Sequence, residues 1–469
     1  MRSVVDQERV ESTAPELLLA PTSSFVENSI DYGKRGTYTS YALSGYMVWE
    51  TNSIKNERLA ITRRLLQQPT FNFRPNTLDG AVRYFRNRAK PLEPMERESV
   101  INGYGGAKKQ RYQRAADSLD HEELTRADFK ISSFVKAERV LDIEKYPRMV
   151  HFRNYRQILE LLRYIKPIEH TLYKKRLVVP RTELRSTGRC VAKGLNGNER
   201  YELIKSKFDS FENPVCLSLD CSSFELHVAR GYLIEEFRIL RSYYKGDKYL
   251  EWILSNMLDN KGMTKMGQRW RRRGGRVSGD ALTGLGNTLA MLVIMVQYAK
   301  DNPNIEFDIL SDGDDTLFFC NERDLDEESI QNAFREAGHL LRVDGKANCL
   351  GDIIFCQHKP LDGSMVRSPM EIIEKCLVVP RKVNDYYDHV AGVAKGLRAV
   401  YGNIPELRHT LDLVIKLSPT AKISDEYWLR FPQTGLIEVG RIWDAFPGGG
   451  LEGINIVLNN MYVEKQANA

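Results

Sequence analysis

The strongest constraint in this 469-residue sequence is a turn made of acids. Asp312-Gly313-Asp314-Asp315 joins two apolar runs, Ile305–Ser311 and Thr316–Cys320, that read as the strands of a hairpin. A solvated loop has no need of Ile309, Leu310, Leu317, Phe318 and Phe319 beside it, so the turn belongs at the edge of a buried sheet. Gly313 supplies the positive φ that such a turn asks for. Asp314 and Asp315 are adjacent carboxylates that repel each other, and a cation that neutralises them lets a fold hold them close. Acid–glycine turns are common, so the setting rather than the tetrapeptide carries the signal.

A second acid ends its own apolar run, Val215–Asp220 (VCLSLD), which reads as a buried strand. If the two strands are neighbours, Asp220 and Asp314 face one cleft. Phosphoryl transfer by two magnesium ions about 3.5–4 Å apart uses carboxylates from separate strands in this way. A plainer reading makes Asp220 the N-cap of a helix starting near Phe224. A third segment, Ser278-Gly279-Asp280 through Asn287, opens a helix on which Thr283 and Asn287 share a face. Ser and Asn side chains both donate and accept, Glu225 accepts, and a ribose 2′-hydroxyl needs both kinds of partner. Ordinary helix capping competes with this reading too. The fourth is basic: Lys261–Arg276 holds Arg269, Arg271, Arg272 and Arg273 with Trp270 and no acid. That pattern fits phosphate contact, or a solvated hairpin.

The rest of the chain bounds these readings. Lys and Arg number 68 against 62 Asp and Glu, a net charge of +6 that permits nucleic-acid binding without arguing for it. Seven cysteines with no CxxC pair read as reduced thiols, with neither a disulfide framework nor a zinc ribbon. No signal peptide is visible. Ala281–Ala299 is apolar and long enough to span a bilayer, but Ser278, Asp280, Thr283 and Asn287 crowd its start and favour a buried helix. Helices are expected over Lys108–Leu119 after a glycine turn, over Phe224–Tyr244, from about Gly279, over Glu327–Leu341 and through most of the chain beyond Val378. A strand is expected at Ile353–Cys356. Residues 1–60 read as an extension.

Taken together and in order, these segments resemble the viral RNA-dependent RNA polymerases of positive-strand RNA viruses, most closely the tombusvirus-like group. SLDCSSFELHV (218–228), SGDALTGLGNT (278–288) and SDGDDTLFF (311–319) resemble the family's first three palm motifs. FVKAE (134–138) with PRMVHFR (147–153) resembles its basic fingers motif, and LRYIKPIEHTLY (162–173), KGLN (193–196) and GYGGAKKQRYQRAADSL (103–119) match the same group. DIIFCQHKP (352–360) with RSP (367–369) resembles the palm–thumb junction that steadies the primer strand.

The resemblance implies an α+β right-hand polymerase whose palm is an RRM-like antiparallel sheet with helices. Its parts would be an N-terminal extension (1–60), fingers (61–213), palm (214–232 and 276–377), a fingers insertion (233–275) and a thumb (378–469). Asp220, Asp314 and Asp315 would be the catalytic acids and hold two Mg²⁺ ions, with Mn²⁺ as a substitute. Lys136, Arg148 and Arg153 would contact the NTP phosphates. Ser278, Thr283, Asn287 and Glu225 would read the ribose. Glu225 stands where the family normally has Asp. Arg269, Arg271, Arg272, Arg273, Cys356 and Gln357 would contact RNA. Arg342 or Lys346 would assist pyrophosphate departure. The implied partners are a single-stranded RNA template, nascent RNA, NTPs and a membrane-anchored viral replication protein. The implied location is the host cytoplasm, at membrane-associated replication complexes. A non-catalytic RNA-binding replication protein and a reverse transcriptase on the same palm are the alternatives.

Overall fold

Four apolar runs assemble into one antiparallel sheet: β1 (Pro214–Cys221), β2 (Phe307–Asp312), β3 (Asp315–Asn321) and β4 (Leu341–Ala347), in the order β2-β3-β1-β4. The computed structural model describes residues 51–67, 69–140, 146–379, 383–423 and 451–467, with short strands at Val4–Asp6, Ser23–Phe25 and Met47–Trp49. Both faces of the central sheet are covered, which explains why its strands read as continuous apolar runs. Val215, Leu217, Leu219, Ile309 and Phe318 face a large core that includes the helix Thr283–Asp301. Cys216, Leu310, Leu317 and Phe319 face a smaller core with Ile204 and Phe208 of the helix Gly197–Phe208. Each such fully buried side chain stabilises the fold by roughly 1.5–3 kcal/mol.

Thr283–Asp301 is buried along most of its length, from Leu285 to Ala299. Among the described residues no helix is long and apolar enough to cross a membrane. The apolar stretch at 281–299 is therefore core, as its polar start implies. The helix Gly106–Leu119 follows the glycine turn where it is expected.

Three element readings need correction. The helix from Glu327 stops at Glu336, because Gly338 (φ 87°) takes the left-handed conformation that ends it, and Leu341 already belongs to β4. Ile353–Cys356 is not a strand. Cys356 (φ 50°) and Gln357 (φ 64°) form a tight turn that leads into the strand His358–Leu361. The helix expected over Phe224–Tyr244 is broken into Phe224–His227 and Arg230–Tyr243.

A second sheet of five strands lies earlier and later in the chain, in the order Val4–Asp6, Arg269–Arg273, Asp259–Thr264, Ile131–Val135 and Met149–Phe152. The arginine run is thus a strand of a hairpin, with side chains alternating between faces. Trp270 packs inward, and Gly262 opposite it is required, since a Cβ there would meet the indole at 2.3 Å. Toward the C-terminus the helices Pro369–Leu377, Tyr386–Tyr401, Pro405–Leu417 and Glu452–Ala467 share one apolar cluster.

Candidate active site

The acid turn is built by its backbone. Asp312 pairs with Asp315, leaving Gly313 and Asp314 as a two-residue connection. Gly313 has φ 78°, and its N–H donates to Thr288 Oγ1 at 3.1 Å, which fastens the turn to the long helix. A glycine first in such a pair matches the strand twist. Leu219 of β1 pairs with Thr316 of β3, so Asp220 emerges beside the turn. Asp220 is no helix cap, because Ser223 (φ 52°) intervenes before Phe224.

The electrostatics record this crowding. Asp315 is open to the cleft, yet lost hydration at its carboxyl, with Asp314 and Asp220 nearby, pushes its pKa up to about 6. Lost hydration also raises Asp220, against the pull of Arg342 and with the push of Asp344 and Asp314. Hard carboxylate oxygens from two strands, mutually repelling, form a donor set that suits a divalent cation. Among the described residues no three acidic, histidine or cysteine groups already converge as a cage. Asp220 instead accepts from Arg342 Nη2 at 2.9 Å, and Asp314 accepts from Asn287 Nδ2 at 3.4 Å.

Asn287 is itself held. Arg276 Nε donates to Asn287 Oδ1 at 3.1 Å, and Arg276 pairs with Glu236 through two hydrogen bonds of 2.9 and 2.5 Å. Both members of that ion pair are buried, and Glu236 outweighs the desolvation that would otherwise disfavour the arginine's charge. Gly286 is what lets Arg276 pass the helix, because a Cβ there would lie 2.5 Å from the guanidinium carbon. No sequence motif marks Glu236. Arg276 reads in the sequence as one more cation of the basic run Lys261–Arg276, and only its burial distinguishes it.

An opening of about 330 Å³ gathers Lys136, Arg148, Glu225 and Ser278, with Arg64, Arg272 and Arg276 on its walls. Lys136 and Arg148 stand at the ends of two paired strands, and both contact Glu138, at 3.0 and 3.7 Å. Arg64, also missed from sequence, comes from the short turn of π-helix Ile61–Leu65 and donates to the Tyr146 carbonyl at 3.0 Å. Burial, then Arg148, lowers its pKa. Lost hydration, then Asp314, raises Glu225, with Arg148 and Arg276 pulling the other way. Ser278 Oγ accepts from the His151 N–H at 3.1 Å. Thr283 donates to the Val277 carbonyl at 2.7 Å, so its hydroxyl proton serves the loop.

Several expected contacts fall elsewhere. Arg153 is 2% exposed and its guanidinium is bound to Asp280 and Asn260, away from the opening. It fixes the Ser278–Asp280 turn to the second sheet. Arg269, Arg271 and Arg273 are exposed on one face of their strand, whereas Arg272 points inward and donates to the Leu226 carbonyl. Cys356 lies beside Asp315, burial and then that carboxylate raising its thiol pKa, while Gln357 is exposed at the tip of the turn. Arg342 is paired with Asp220 across β4 and β1, but Lys346 lies opposite Leu217.

Acids from two strands stand beside a cation-walled opening on an α+β scaffold, a charge pattern whose cations suit phosphate oxygens. Comparison with known proteins gives the family. Residues 48–423 match the family model described as viral RNA dependent RNA polymerase, and the chain belongs to that family. The RNA-directed RNA polymerase of tobacco necrosis virus (strain A) is 30% identical over 388 residues, covering 76% of this chain and 52% of the relative. Those of groundnut rosette virus (strain MC1) and tomato bushy stunt virus (strain Cherry) are each 31% identical, covering 64% and 56% of this chain and 36% and 32% of the relatives. The chain thus spans about half or less of the length of these curated relatives.

Proposed function

We propose that this chain is an RNA-directed RNA polymerase that copies a positive-strand viral RNA genome from NTPs. The observation that carries this is the β1–β3 register, which sets Asp220 beside the Asp314–Asp315 turn next to a cation-walled opening. In this reading the central sheet is the palm (214–232 and 276–377). The five-stranded sheet belongs to the fingers (61–213, with the insertion 233–275), residues 1–60 form the extension, and the C-terminal helices form the thumb (378–469).

The 3′-hydroxyl of the nascent strand attacks the NTP α-phosphate, a phosphodiester bond forms and pyrophosphate leaves. Asp220, Asp314 and Asp315 would hold two Mg²⁺ ions, or Mn²⁺ in their place, and the metal would supply a lowered pKa at the attacking hydroxyl and stabilisation of the leaving charge. Lys136, Arg148 and Arg64 receive the triphosphate, the first two exchanging Glu138 for it. Ser278, Asn287 and Glu225 accept and donate at the ribose, with Thr283 contributing its lone pairs. The longer arm of Glu225 reaches the hydroxyl from one carbon further back than an aspartate would. Arg342, already at Asp220, is better placed than Lys346 to meet the departing pyrophosphate. Arg153 acts through the Ser278–Asp280 turn. Arg269, Arg271 and Arg273 meet RNA phosphates from an exposed strand face, and Cys356 and Gln357 border the nascent strand. A membrane-anchored viral protein would bring the chain to replication complexes in the host cytoplasm.

The test is incubation of the purified chain with a single-stranded RNA template, Mg²⁺ and labelled NTPs, repeated with Mn²⁺ and a primed template. Template-dependent product is expected. Salt-sensitive RNA binding with no incorporation in either format overturns the reading in favour of a non-catalytic binder, and preferential use of dNTPs overturns it in favour of a reverse transcriptase.

A further inference from the structure

The turn that carries Glu225 is an unusual one. Ser223 is a non-glycine residue in the left-handed region, φ 52° and ψ 50°, a conformation that persists only where its surroundings hold it. The helix it starts, Phe224–His227, is four residues long and cannot hold itself. The backbone grips the turn where the Ser222 N–H donates to the Leu340 carbonyl at 3.0 Å and the Leu226 N–H to the Ser223 carbonyl at 2.9 Å, and the side chain of its last residue adds a link to a distant segment. His227 Nδ1 lies 3.2 Å from the Ser223 carbonyl oxygen, and His227 Nε2 lies 3.2 Å from the backbone nitrogen of Thr70. The Thr70 N–H is a donor, so Nε2 accepts, and the ring proton is on Nδ1, from which it is given to Ser223. The imidazole is therefore neutral and of one tautomer. Burial, then Arg272, opposes its protonation, although the Ser223 carbonyl pulls the other way.

The Thr70 segment is docked along its length, not merely touched at one atom. Arg74 N–H donates to the Glu336 carbonyl at 3.2 Å, Phe73 meets Tyr232 edge-on at 6.3 Å, and Gly231 and Gly338 leave room for Phe73, their added Cβ atoms falling 2.9 Å from it. On the other side of the turn, Arg276 N–H donates to the Glu225 carbonyl at 3.1 Å. The turn is thus gripped from the Arg272–Arg276 segment on one side, and its link to the Thr70 segment runs through the His227 imidazole.

We propose that His227 is a positioning residue for nucleotide selection. Its neutral ring clamps the Ser223 turn to the Thr70 segment and so fixes where Glu225 stands at the mouth of the opening. This rests on the polymerase reading for the role of Glu225, but the clamp itself does not.

Three variants dissect it. In His227→Asn the amide N–H₂ replaces Nδ1–H toward Ser223. In His227→Gln the amide oxygen replaces Nε2 toward Thr70, and His227→Ala removes both. Losing one hydrogen bond at a positioning contact corresponds to about a tenfold effect. His227→Ala is expected to raise the NTP KM about tenfold with kcat changed less than about threefold, and to narrow the preference for NTPs over 2′-deoxy-NTPs. His227→Asn and His227→Gln, each keeping one of the two contacts, are expected to recover only part of that preference. The Leu226 N–H shares the Ser223 carbonyl with His227 Nδ1, at 2.9 Å, so its exchange reports on the turn. Amide hydrogen exchange, which needs no catalysis, is expected to quicken at Thr70 and Leu226 in His227→Ala, at Thr70 alone in His227→Asn, and at Leu226 alone in His227→Gln. Unchanged exchange at both amides in His227→Ala overturns the clamp whether or not the chain makes RNA. Quickened exchange with unchanged KM and ribose preference in an active polymerase overturns its role in selection.

Discussion

The two shoulders of one hairpin turn are handled in opposite ways. Asp312 accepts from Lys193 Nζ at 2.6 Å and from Arg200 Nη2 at 2.5 Å. Burial works to raise its pKa, but the two cations outweigh that and hold the carboxyl below its ordinary value. Asp315, its partner across the turn, sits with Asp314 and Asp220 and is pushed up to about 6. The first acid is fully spent within the protein. The second is left with a like-charged neighbourhood that the protein does not neutralise. That contrast separates an acid that holds the fold from one that, in the reading proposed above, is available to an outside cation.

The largest expected effect comes from removing the free side. Asp314→Ala should lower RNA synthesis by about a thousandfold or more while RNA binding stays within a few-fold, read by NTP incorporation beside a filter-binding assay. Substantial residual synthesis would break the comparison. Next is the support behind Asp314. Gly286→Ala drives a methyl into the Arg276 guanidinium, and should cost about 1–3 kcal/mol in thermal unfolding together with about ten- to a hundredfold in synthesis, because Asn287 loses its anchor.

Stability against pH then sets the two shoulders side by side, in metal-free protein with chelator present. The lowered pKa of Asp312 means that it contributes stability above its ordinary value of 3.8, and this is lost as pH falls through the lower folded value. The raised pKa of Asp315 has the opposite sign. Between 3.8 and about 6 the folded state binds the extra proton, so stability falls as pH rises through that window. Asp312→Asn should therefore lower the Tm at pH 7.5. Asp315→Asn should raise it, by a shift corresponding to only about 1 kcal/mol of stability because solvent screens so open a group. Equal signs would dissolve the contrast.

The smallest effect tests the same distinction in the arginine run. Exposed Arg271→Ala should reduce the slope of log RNA affinity against log salt by about one, and leave Tm unchanged. Arg272→Ala should instead lower Tm, since the buried guanidinium closes against the Leu226 carbonyl.

Much of the site was legible because its signals are local. The acid turn, the acid closing Val215–Asp220 and the Ser278–Asn287 segment each lie within about ten residues; the first two sit as expected, while the helix expected from about Gly279 begins only at Thr283, after a turn that the Ser278–Asp280 contacts hold. Arg153 was not legible. A lone arginine in a basic motif looks the same whether it faces a substrate or an aspartate over a hundred residues away, and Asp280 is what claimed it. Arg64 and the Arg276–Glu236 pair gave no motif, since their roles come from burial and from the approach of other segments. The break after His227 was missed because the apolar pattern continues through it, while the left-handed Ser223 and the His227 clamp are set by neighbours.

What the sequence determined alone was the set of buried strands, the turn geometry demanded by Gly313 and the presence of carboxylates that a cation would have to balance. These follow from patterns a few residues long, read by hydrophobic burial and by backbone sterics. What the tertiary structure decided was which charge is spent and which is free. Asp312 and Asp315, or Arg271 and Arg272, differ in no property of residue type. They differ in which groups the fold brings within about 3 Å of each, and at that range a buried or crowded charge depends on its partner more than on its own chemistry.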